Sequence, residues 1–518
     1  MQPIAISREV SEPGHDWPSA SLAAFQDDLH RKLDGGEAGQ AFLDVRHAIA
    51  LKPQWAKALT PLYRESTWRG VSEAHQRCDW TNYDLMADAL REAIEHDPTF
   101  WMAGEITLAV PCLTRAHLLA MSRRHSARFT TPTAILVPYD PPSRPLRIGV
   151  IGCDFHAQAT AYLFTGVAEA MDRARVHLTA YDYRRSQPDT PWRQRCLAAY
   201  DRFVMIQDMT DAEAARRIRA DEIDVLIHMR DAVHGRLGIC ALRPAAIQIQ
   251  YLYFPGTSGA DFMDYLIADA IVVPPGHEDG YAETVLRLSG CYQPNDGNRP
   301  VPHRLPRQHY RLDPDWQMLA NFSQSYKFTP DMFDLWCEIL RRDPRRRLWL
   351  LDAGEPISRN LRREAAARGV DPDRLIFAPT ASTADHLARL ASADLVLDTF
   401  PYGGHTLTSD ALWAETPVVS LVGETFASRV AASLLTHSGV PELAVGSAGD
   451  YIAQADALLR IPERIAATRA AIADHRAKGG LFDVAAYARC LTDALETVVG
   501  TRWSKPCGPT PISGASHG

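Results

Sequence analysis

One lysine stands alone inside a long stretch in which arginine supplies every other strong base. Only six of the 55 basic side chains are lysine, and between Lys57 and Lys478 the single lysine is Lys327, in NFSQSYKFTP (321–330). Lysine is a compact point charge on a flexible stem, which suits the stabilisation of a departing phosphate. The alternative is a surface lysine without a function. Because arginine fills almost every other cationic position, the composition favours the view that Lys327 occupies a site where an arginine side chain would not fit.

A glycine pair followed by a helix start forms a second candidate site. In PYGGHTLTSDALW (401–413) the Gly-Gly pair permits a tight backbone, and His405 and Thr406 open a predicted helix. A helix N-terminus offers free N–H groups and partial positive charge, which suit a phosphate. Asp410 lies one turn further along, where its carboxylate could accept hydrogen bonds from ribose hydroxyls. Taken alone, these residues favour the simpler explanation that Thr406 or Ser409 caps the helix and Asp410 complements its dipole.

Further polar side chains follow predicted strands. His386 and Arg389 share one helix face at i, i+3 spacing and could contact a base or a diphosphate, unless they belong to a solvated charged face. Asp154 follows the first predicted strand, in GCDFHAQAT (152–160), where a carboxylate can act as a base or a substrate ligand. His156 lies two residues further on. Loop polarity is the alternative explanation for these two residues.

Composition excludes several classes of function. The 518 residues are 46% hydrophobic and 23% charged, which is typical of a globular chain of about two to four domains. A net charge of -8 argues against nucleic acid or an anionic membrane as the main partner. No apolar run approaches the length of a membrane span, and the N-terminus lacks the pattern of a signal peptide.

Cysteine spacing and the absence of certain motifs argue against several further kinds of site. Nine cysteines are scattered without a CxxC pair, so neither a metal site nor a disulfide framework is predicted, and we expect a reduced cytoplasmic protein. GxGxxG, GxxxxGK[ST] and GxSxG do not occur at predicted strand–helix turns. Dinucleotide-binding, P-loop and hydrolase sites are therefore not supported.

The elements that must position these side chains fall into a clear order. The predicted segments are a loose N-terminal tail (1–16), a helical region (17–130), a proline-rich linker (131–145), two series of alternating strands and helices (145–310 and 315–498) and a disordered tail (499–518). Within the helical region, 41–59 and 84–100 resemble degenerate tetratricopeptide units. Alternating strands and helices predict parallel, doubly wound sheets, which bind ligands at the carboxyl ends of their strands. Two such domains in tandem place a cleft between them.

Short apolar runs predict where the individual strands lie. In the first series they are 146–152, 177–183, 202–206, 223–229, 246–254 and 284–290. In the second series they are 317–322, 346–352, 374–379, 394–400 and 418–422. Lys327, His386, His405 and Asp154 all come shortly after the end of one of these strands.

Four long segments, in family order along the chain, resemble the O-GlcNAc transferase/SPINDLY family of glycosyltransferases. The resemblance covers roughly residues 140–498 and is carried by ALRPAAIQIQYLYFPGTSGADFMDYLIAD (241–269), NFSQSYKFTP (321–330), RLIFAPTASTADHLARLASADLVLDTFPYGGHTLTSDALW (374–413) and GETFASRVAASLL (423–435). RCDWTNYDLM (77–86) also resembles the segment that joins the repeats of this family to its catalytic core. The resemblance implies an α/β fold of the GT-B type, in which two Rossmann-like domains face a cleft and follow a helical, tetratricopeptide-like region.

The resemblance also implies an activity and a set of site residues. The family transfers a sugar from a nucleotide donor to protein side chains with inversion and without a metal. The expected reaction therefore moves GlcNAc from UDP-GlcNAc to a Ser or Thr hydroxyl and needs no cofactor. By resemblance, Lys327 would neutralise the leaving diphosphate. The other implied donor-site residues are Gln324 beside it, Ala381, His386 and Arg389 at the uracil and ribose, His405, Thr406 and Asp410 at the diphosphate and ribose, and Thr160 and Leu252 to Pro255 near the phosphates and sugar.

The sequence departs from the family pattern at several places. Gln158 stands where the family usually has a histidine and cannot accept a proton, and Leu407 replaces a threonine that would donate to the diphosphate. Asp154 is retained and is our preferred candidate for proton transfer, directly or through water, with His156 as a substitute. The loop MRDAVHGRLG (229–238) is bulkier and more charged than its family counterpart, which bears on the choice of acceptor or sugar.

Three alternatives stay open on the sequence alone, of which a sugar epimerase of the GT-B fold is the weakest because it leaves the repeat-like helices unexplained. The same fold could use another donor, such as GDP-fucose, UDP-glucose or an activated nonulosonic acid. The chain could also be a non-catalytic homologue that binds a partner through its helices, although Lys327 and Asp410 argue against a loss of catalysis. The expected partners are a protein acceptor and a nucleotide sugar, without nucleic acid or a membrane span, while the acceptor's identity and the oligomeric state are not predicted.

Overall fold

The computed structural model describes residues 21–102, 104–129, 144–185, 189–231 and 234–504. The predicted tail at 1–16, nearly all of the predicted linker and the last residues of the predicted C-terminal tail lie outside these ranges. Within them, a helical region precedes two parallel sheets, each accompanied by helices.

Five helices form the helical region: α1 (Leu22–Asp34), α2 (Ala38–Leu51), α3 (Ala56–Arg77), α4 (Tyr83–His96) and α5 (Arg115–Ser126). α2 and α3 pack as a pair, α1 contacts both, α4 packs on α3, and α5 packs on α4. Pro53 begins the turn between α2 and α3, because proline lacks the N–H that a continuing helix needs. A short 3-10 turn, Glu105–Ala109, lies between α4 and α5.

Seven parallel strands form the first sheet: β1 (Leu146–Gly152), β2 (Val176–Asp182), β3 (Arg202–Met205), β4 (Val225–His228), β5 (Ile247–Gln250), β6 (Tyr265–Ala268) and β7 (Thr284–Arg287). Their order across the sheet is β3-β2-β1-β4-β5-β6-β7. The helices of this part are α6 (Ala159–Ala170), α7 (Pro191–Ala198), α8 (Asp211–Ala220) and α9 (Leu237–Ala241). β1 matches its predicted range residue for residue, whereas the four-residue β6 is not among the predicted strands.

Six parallel strands form the second sheet: β8 (Gln317–Asn321), β9 (Arg346–Leu351), β10 (Leu375–Ala378), β11 (Leu395–Leu397), β12 (Val418–Leu421) and β13 (Ala444–Val445). Their order is β10-β9-β8-β11-β12-β13, which repeats the winding of the first sheet. The helices that accompany them are α10 (Pro330–Arg341), α11 (Glu355–Ala367), α12 (Thr383–Ser392), α13 (Thr406–Trp413) and α14 (Val430–Thr436). The two-residue β13 is too short for its pattern to be recognised in the sequence.

Each sheet has a switch point beside its first strand. β1 lies next to β4 in the first sheet, and β8 lies next to β11 in the second. The chain leaves these neighbouring strands in opposite directions, which opens a crevice at their carboxyl ends where such sheets bind ligands. Asp154 follows β1 and Lys327 follows β8, so both predicted residues lie at a switch point.

Three helices complete the chain: α15 (Ala448–Arg460), α16 (Pro462–Ala477) and α17 (Val484–Ser504). α17 follows the second sheet in sequence but packs against α6 beside the first, and its Tyr487 hydroxyl donates a hydrogen bond to the Tyr292 carbonyl at 2.5 Å. The prediction of disorder from residue 499 is wrong for its first six residues, because α17 continues to Ser504 with Val498 and Val499 buried. Among the helices that the structure describes, none is long and apolar enough for a membrane span.

We expect Leu491→Ala to destabilise the protein through loss of the packing of α17. Leu491 is fully buried, and removing a buried leucine side chain costs about 2–5 kcal/mol of unfolding free energy. Arg489→Ala, at an exposed position of the same helix, is the matched control and should stay within about 0.5 kcal/mol. Urea denaturation of both variants measures the difference, and equal stability of the two would contradict the packing described here.

Candidate active site

Lys327 ends a three-residue 3-10 turn, Ser325–Lys327, directly after β8. Its Nζ donates a hydrogen bond to the Gly403 carbonyl at 2.9 Å and lies 3.6 Å from the centre of the Tyr402 ring. The turn and the glycine pair come from two separate loops, at the ends of β8 and β11. The structure therefore brings the isolated lysine and the predicted phosphate-binding turn together.

The charge of Lys327 is set by its surroundings. Burial lowers the pKa of Lys327 to about 8, against the opposing influence of the Asp398 and Glu105 carboxylates. Burial and the charge of Lys327 also lower the pKa of His405 to about 3. His405 is therefore neutral at physiological pH, and its Nε2 donates to the Ala427 carbonyl at 3.2 Å.

Asp398 organises the turn that faces Lys327, although the sequence analysis does not single it out. Its carboxylate accepts hydrogen bonds from the N–H groups of Thr399 at 2.8 Å and Gly404 at 2.6 Å, and from the Ser420 hydroxyl at 2.6 Å. Burial raises the pKa of Asp398 to about 6. A side chain at position 404 would meet the Thr408 hydroxyl at 2.7 Å, so this close approach requires glycine.

The N-terminus of α13 opens toward the same place. Helix α13 begins at Thr406 after His405, and no side chain caps it, so the predicted cap by Thr406 or Ser409 is wrong. The first N–H groups of this helix therefore stay available for an anion, next to the ammonium of Lys327. Leu407, in the first turn, is half-buried and packs against the core.

Asp410 lies one turn into α13 and already has partners. Its Oδ1 accepts a hydrogen bond from Arg299 Nη1 at 2.8 Å, and its Oδ2 lies 3.5 Å from His386 Nε2. Arg299 belongs to the segment that connects the two sheets and is a site residue that the sequence analysis missed. It could have been suspected only from its place between the domains, since no motif marks it.

The residues predicted to contact the nucleobase differ in how deeply they are buried. Ala381 and Gln324 are exposed, and His386 is half-buried. Arg389 is only 4% exposed, and its Nη1 donates to the Pro379 carbonyl at 2.8 Å while its guanidinium lies 4.1 Å from the Phe322 ring centre. Arg389 thus lies beneath His386, to which its Nη2 donates at 3.3 Å, and the prediction that it lines the uracil and ribose region stays a prediction.

Asp154, at the end of β1, forms an ion pair. Arg230 Nη1 lies 3.1 Å and 2.9 Å from its two carboxylate oxygens, and the Thr160 hydroxyl lies 3.5 Å from Oδ2. Arg230 was not predicted; it also lies 3.9 Å from the centre of the Tyr253 ring. The carboxylate of Asp154 therefore already has a cationic partner in this structure.

The other two candidates near β1 do not replace it. His156 contacts Arg184, and burial together with that positive charge lowers the pKa of His156. Gln158 is exposed and caps α6, where its side-chain oxygen accepts a hydrogen bond from the Ala159 N–H at 2.9 Å. Neither side chain contacts Asp154 in the described part of the chain.

The loop after β5 carries backbone strain beside this ion pair. Leu252 has a φ of +73°, a conformation that bulky residues rarely adopt and that tends to occur at functional sites. Pro255 in the same loop is buried. The Tyr253 hydroxyl is hydrogen-bonded to Glu105, which also accepts a hydrogen bond from the Tyr326 hydroxyl at 2.7 Å. Glu105 was not predicted and joins the loop after β5 to the turn that holds Lys327.

Comparison with known proteins gives this arrangement a family. A family model described as Glycosyl transferase family 41 matches residues 112–306 and 296–491. The chain belongs to this family. The predicted resemblance to the O-GlcNAc transferase/SPINDLY glycosyltransferases is thereby confirmed.

Individual family 41 relatives match different shares of the chain. It is 34% identical over 363 residues to the probable UDP-N-acetylglucosamine–peptide N-acetylglucosaminyltransferase SEC of Arabidopsis thaliana, covering 68% of this chain and 37% of the relative. The chain is also 25% identical over 572 residues to the UDP-N-acetylglucosamine–peptide N-acetylglucosaminyltransferase of Caenorhabditis elegans. This match covers 84% of this chain and 48% of that relative. The chain spans less than half the length of these two relatives.

A solved structure from the same group confirms the architecture. A mutant of the O-GlcNAc transferase of Thermobaculum terrenum superposes with a TM-score of 0.68 at 26% identity, covering 92% of this chain and 98% of that one. The predicted GT-B fold, with two Rossmann-like domains after a helical region, is therefore confirmed. Within the described residues, no group of three or more His, Cys, Asp or Glu side chains could hold a metal ion.

We expect Lys327 to titrate well below the ordinary value for a lysine. Competitive acetylation followed by mass spectrometry should give a pKa of about 8 for Lys327, whereas Lys32, whose pKa is raised despite partial burial by its ion pairs with Asp28 and Asp44, should react only at higher pH. Asp398→Asn should lower the pKa of Lys327 further, because it removes a negative charge that stabilises the ammonium. Equal titration of Lys327 and Lys32 would rule out the burial of Lys327 described here.

Proposed function

We propose that this chain is an inverting, metal-independent glycosyltransferase that moves GlcNAc from UDP-GlcNAc to a Ser or Thr hydroxyl of a protein. The observation that carries the proposal is the convergence of Lys327 and the uncapped start of α13 at the switch point of the second sheet. The names of the plant and nematode relatives support the donor and the peptide acceptor.

The leaving group makes the strongest demand on this site. As the acceptor hydroxyl attacks the anomeric carbon from the opposite face, the bond to the diphosphate breaks and negative charge builds on the β-phosphate. Lys327 and the first N–H groups of α13 would meet that charge in place of a metal. With a pKa of about 8, the amine of Lys327 is mostly charged at neutral pH in the free protein, and a bound diphosphate would favour the charged form further.

The nucleoside would lie along α12 and α13. Exposed Gln324 and Ala381 and half-buried His386 offer a surface for the base, and Asp410 retains lone pairs for the ribose hydroxyls beside its contact with Arg299. Arg389 would act through His386 and the Pro379 carbonyl rather than by touching the donor. His405, neutral and fixed by Ala427, would offer hydrogen bonding without added charge.

The acceptor hydroxyl must lose a proton on the side of the first sheet. Thr160 lies near the paired Asp154, and Gln158 cannot accept a proton. Since the carboxylate of Asp154 is already paired with Arg230, we propose that it orients a water that carries the proton away. The charged loop after β4 borders this side and would contribute to the choice of acceptor.

We expect Lys327→Ala to remove most turnover while leaving the fold intact. Loss of one preorganised donor to the leaving group should lower kcat by about 10²–10³-fold. Intact-mass analysis of a co-expressed acceptor, and release of UDP in a buffer containing EDTA, measure the effect. Lys478→Ala is the matched control and should keep wild-type activity.

Three outcomes would count against this proposal. Full activity of Lys327→Ala would remove the assigned role of the lysine, and loss of wild-type activity in EDTA would overturn the metal-independent mechanism. A wild-type protein that neither transfers nor hydrolyses the donor sugar would favour the non-catalytic, partner-binding alternative.

We expect UDP to raise the melting temperature and GDP and CMP at the same concentration to leave it unchanged. A ligand that binds only the folded state stabilises it by mass action. Differential scanning with the three nucleotides measures the shift, and His386→Ala should reduce the response to UDP. A rise in melting temperature with GDP or CMP, and none with UDP, would contradict the proposed donor and favour a donor that carries the nucleotide that binds.

A further inference from the structure

The turn that carries Lys327 is held from outside its own sheet. The Cys78 thiol lies 3.6 Å from the Ser325 carbonyl, and the Ser325 hydroxyl lies 3.4 Å from the Gln76 carbonyl. His75 Nδ1 lies 2.8 Å from the Tyr326 carbonyl. All three partners belong to the last turn of α3 or to the residue after it. The helical region therefore holds residues Ser325 and Tyr326, which directly precede Lys327.

His75 makes the most directional of these contacts. It is fully buried, and its Nε2 lies 2.9 Å from the Tyr83 hydroxyl. Burial lowers the pKa of His75 to about 4, so the ring is neutral at physiological pH. Because a carbonyl can only accept, Nδ1 carries the proton and donates to Tyr326, while Nε2 accepts from Tyr83. A buried hydrogen bond of this kind is costly to break.

Glu105 holds the same turn from another direction. It accepts a hydrogen bond from the Tyr326 hydroxyl at 2.7 Å and bonds to Tyr253 in the strained loop of the first sheet. The Tyr326 ring lies 6.3 Å from the Tyr402 ring, over which Lys327 sits. One carboxylate of the helical region thus connects a loop of each sheet across the cleft.

The helical region is also docked firmly on the first sheet's side. The Ser126 hydroxyl of α5 donates to the Ser258 carbonyl at 2.6 Å. Gly259, with a φ of +68°, lies so close to α5 that a side chain there would meet the Ser122 backbone at 2.3 Å. Glu105 therefore belongs to a part of the helical region that packs against the first sheet.

We propose that the helical region is a working part of the transferase site, in which His75 and Glu105 are positioning residues that set the place and charge of Lys327. The inference rests on the proposed role of Lys327 in the reaction. It assigns the helices between residues 56 and 126 a role in turnover of the donor itself, besides any role in binding a partner.

The two positioning residues should affect Lys327 in different ways. The charged and titratable groups around Lys327 are Asp398, Glu105, His405 and the Tyr402 ring. Glu105 supplies negative charge that favours the ammonium, whereas His75 is neutral and acts only through the Tyr326 backbone. Loss of Glu105 should therefore change the pKa of Lys327, and loss of His75 should misplace the lysine without that change.

The test compares Glu105→Gln and His75→Ala with the exposed controls Glu92→Gln and His96→Ala. The measurements are kcat and KM for hydrolysis of UDP-GlcNAc from pH 6 to 10, in the full chain. Both test variants should lower kcat/KM by about tenfold to a hundredfold, the effect of losing one buried or charged hydrogen bond. Only Glu105→Gln should move the alkaline limb of the profile to lower pH. His75→Asn, whose amide can still donate to the Tyr326 carbonyl, should recover part of the lost kcat.

A second measurement keeps the proposal independent of activity. Competitive acetylation reports the pKa of Lys327 directly, and Glu105→Gln should lower it while Glu92→Gln leaves it unchanged. Wild-type kinetics and an unchanged pKa of Lys327 in Glu105→Gln would overturn the inference, as would His75→Asn and His75→Ala behaving alike. If Lys327→Ala keeps full activity, the proposed function fails, whereas a changed acetylation profile in Glu105→Gln would still support the electrostatic influence of Glu105 on Lys327.

Discussion

The site depends on keeping one ammonium group partly out of water without neutralising it. Burial of a charged amine is unfavourable, and here it lowers the pKa of Lys327 to about 8. The partners described for Nζ are a carbonyl oxygen and the face of an aromatic ring. Both attract a cation without cancelling its charge. The carboxylates of Asp398 and Glu105 act from further away, so the charge stays available to an anion that enters the cleft.

Asp154 illustrates the opposite solution at the other switch point. Its carboxylate faces Arg230 directly, and Thr160 lies beside it. A fully paired carboxylate contributes shape and a fixed dipole rather than free charge. The two sheets share one winding order, yet one switch point holds an available charge and the other a compensated one. This asymmetry fits a cleft in which one side receives a diphosphate and the other a neutral hydroxyl.

Much of this arrangement could be predicted from local patterns. β1 coincides with the predicted strand, and Lys327, His405 and Thr406 meet because they follow neighbouring parallel strands. The missed residues share a different property. Asp398 ends an apolar run whose periodicity does not mark it, and Glu105 meets Tyr326 across a separation of 221 residues. Helix spacing places His386 and Arg389 on one face, but it does not show that Arg389 is buried there.

The path of α17 limits how the two domains can move. The chain passes from the first sheet to the second through the segment that contains Arg299, and α17 then returns to rest on α6. The helical region also contacts both sheets, through Tyr326 and Ser258, so the two domains are joined at three separated places and retain little relative rotation. The cleft would then keep nearly one width, and every ligand would meet the same two edges in the same register.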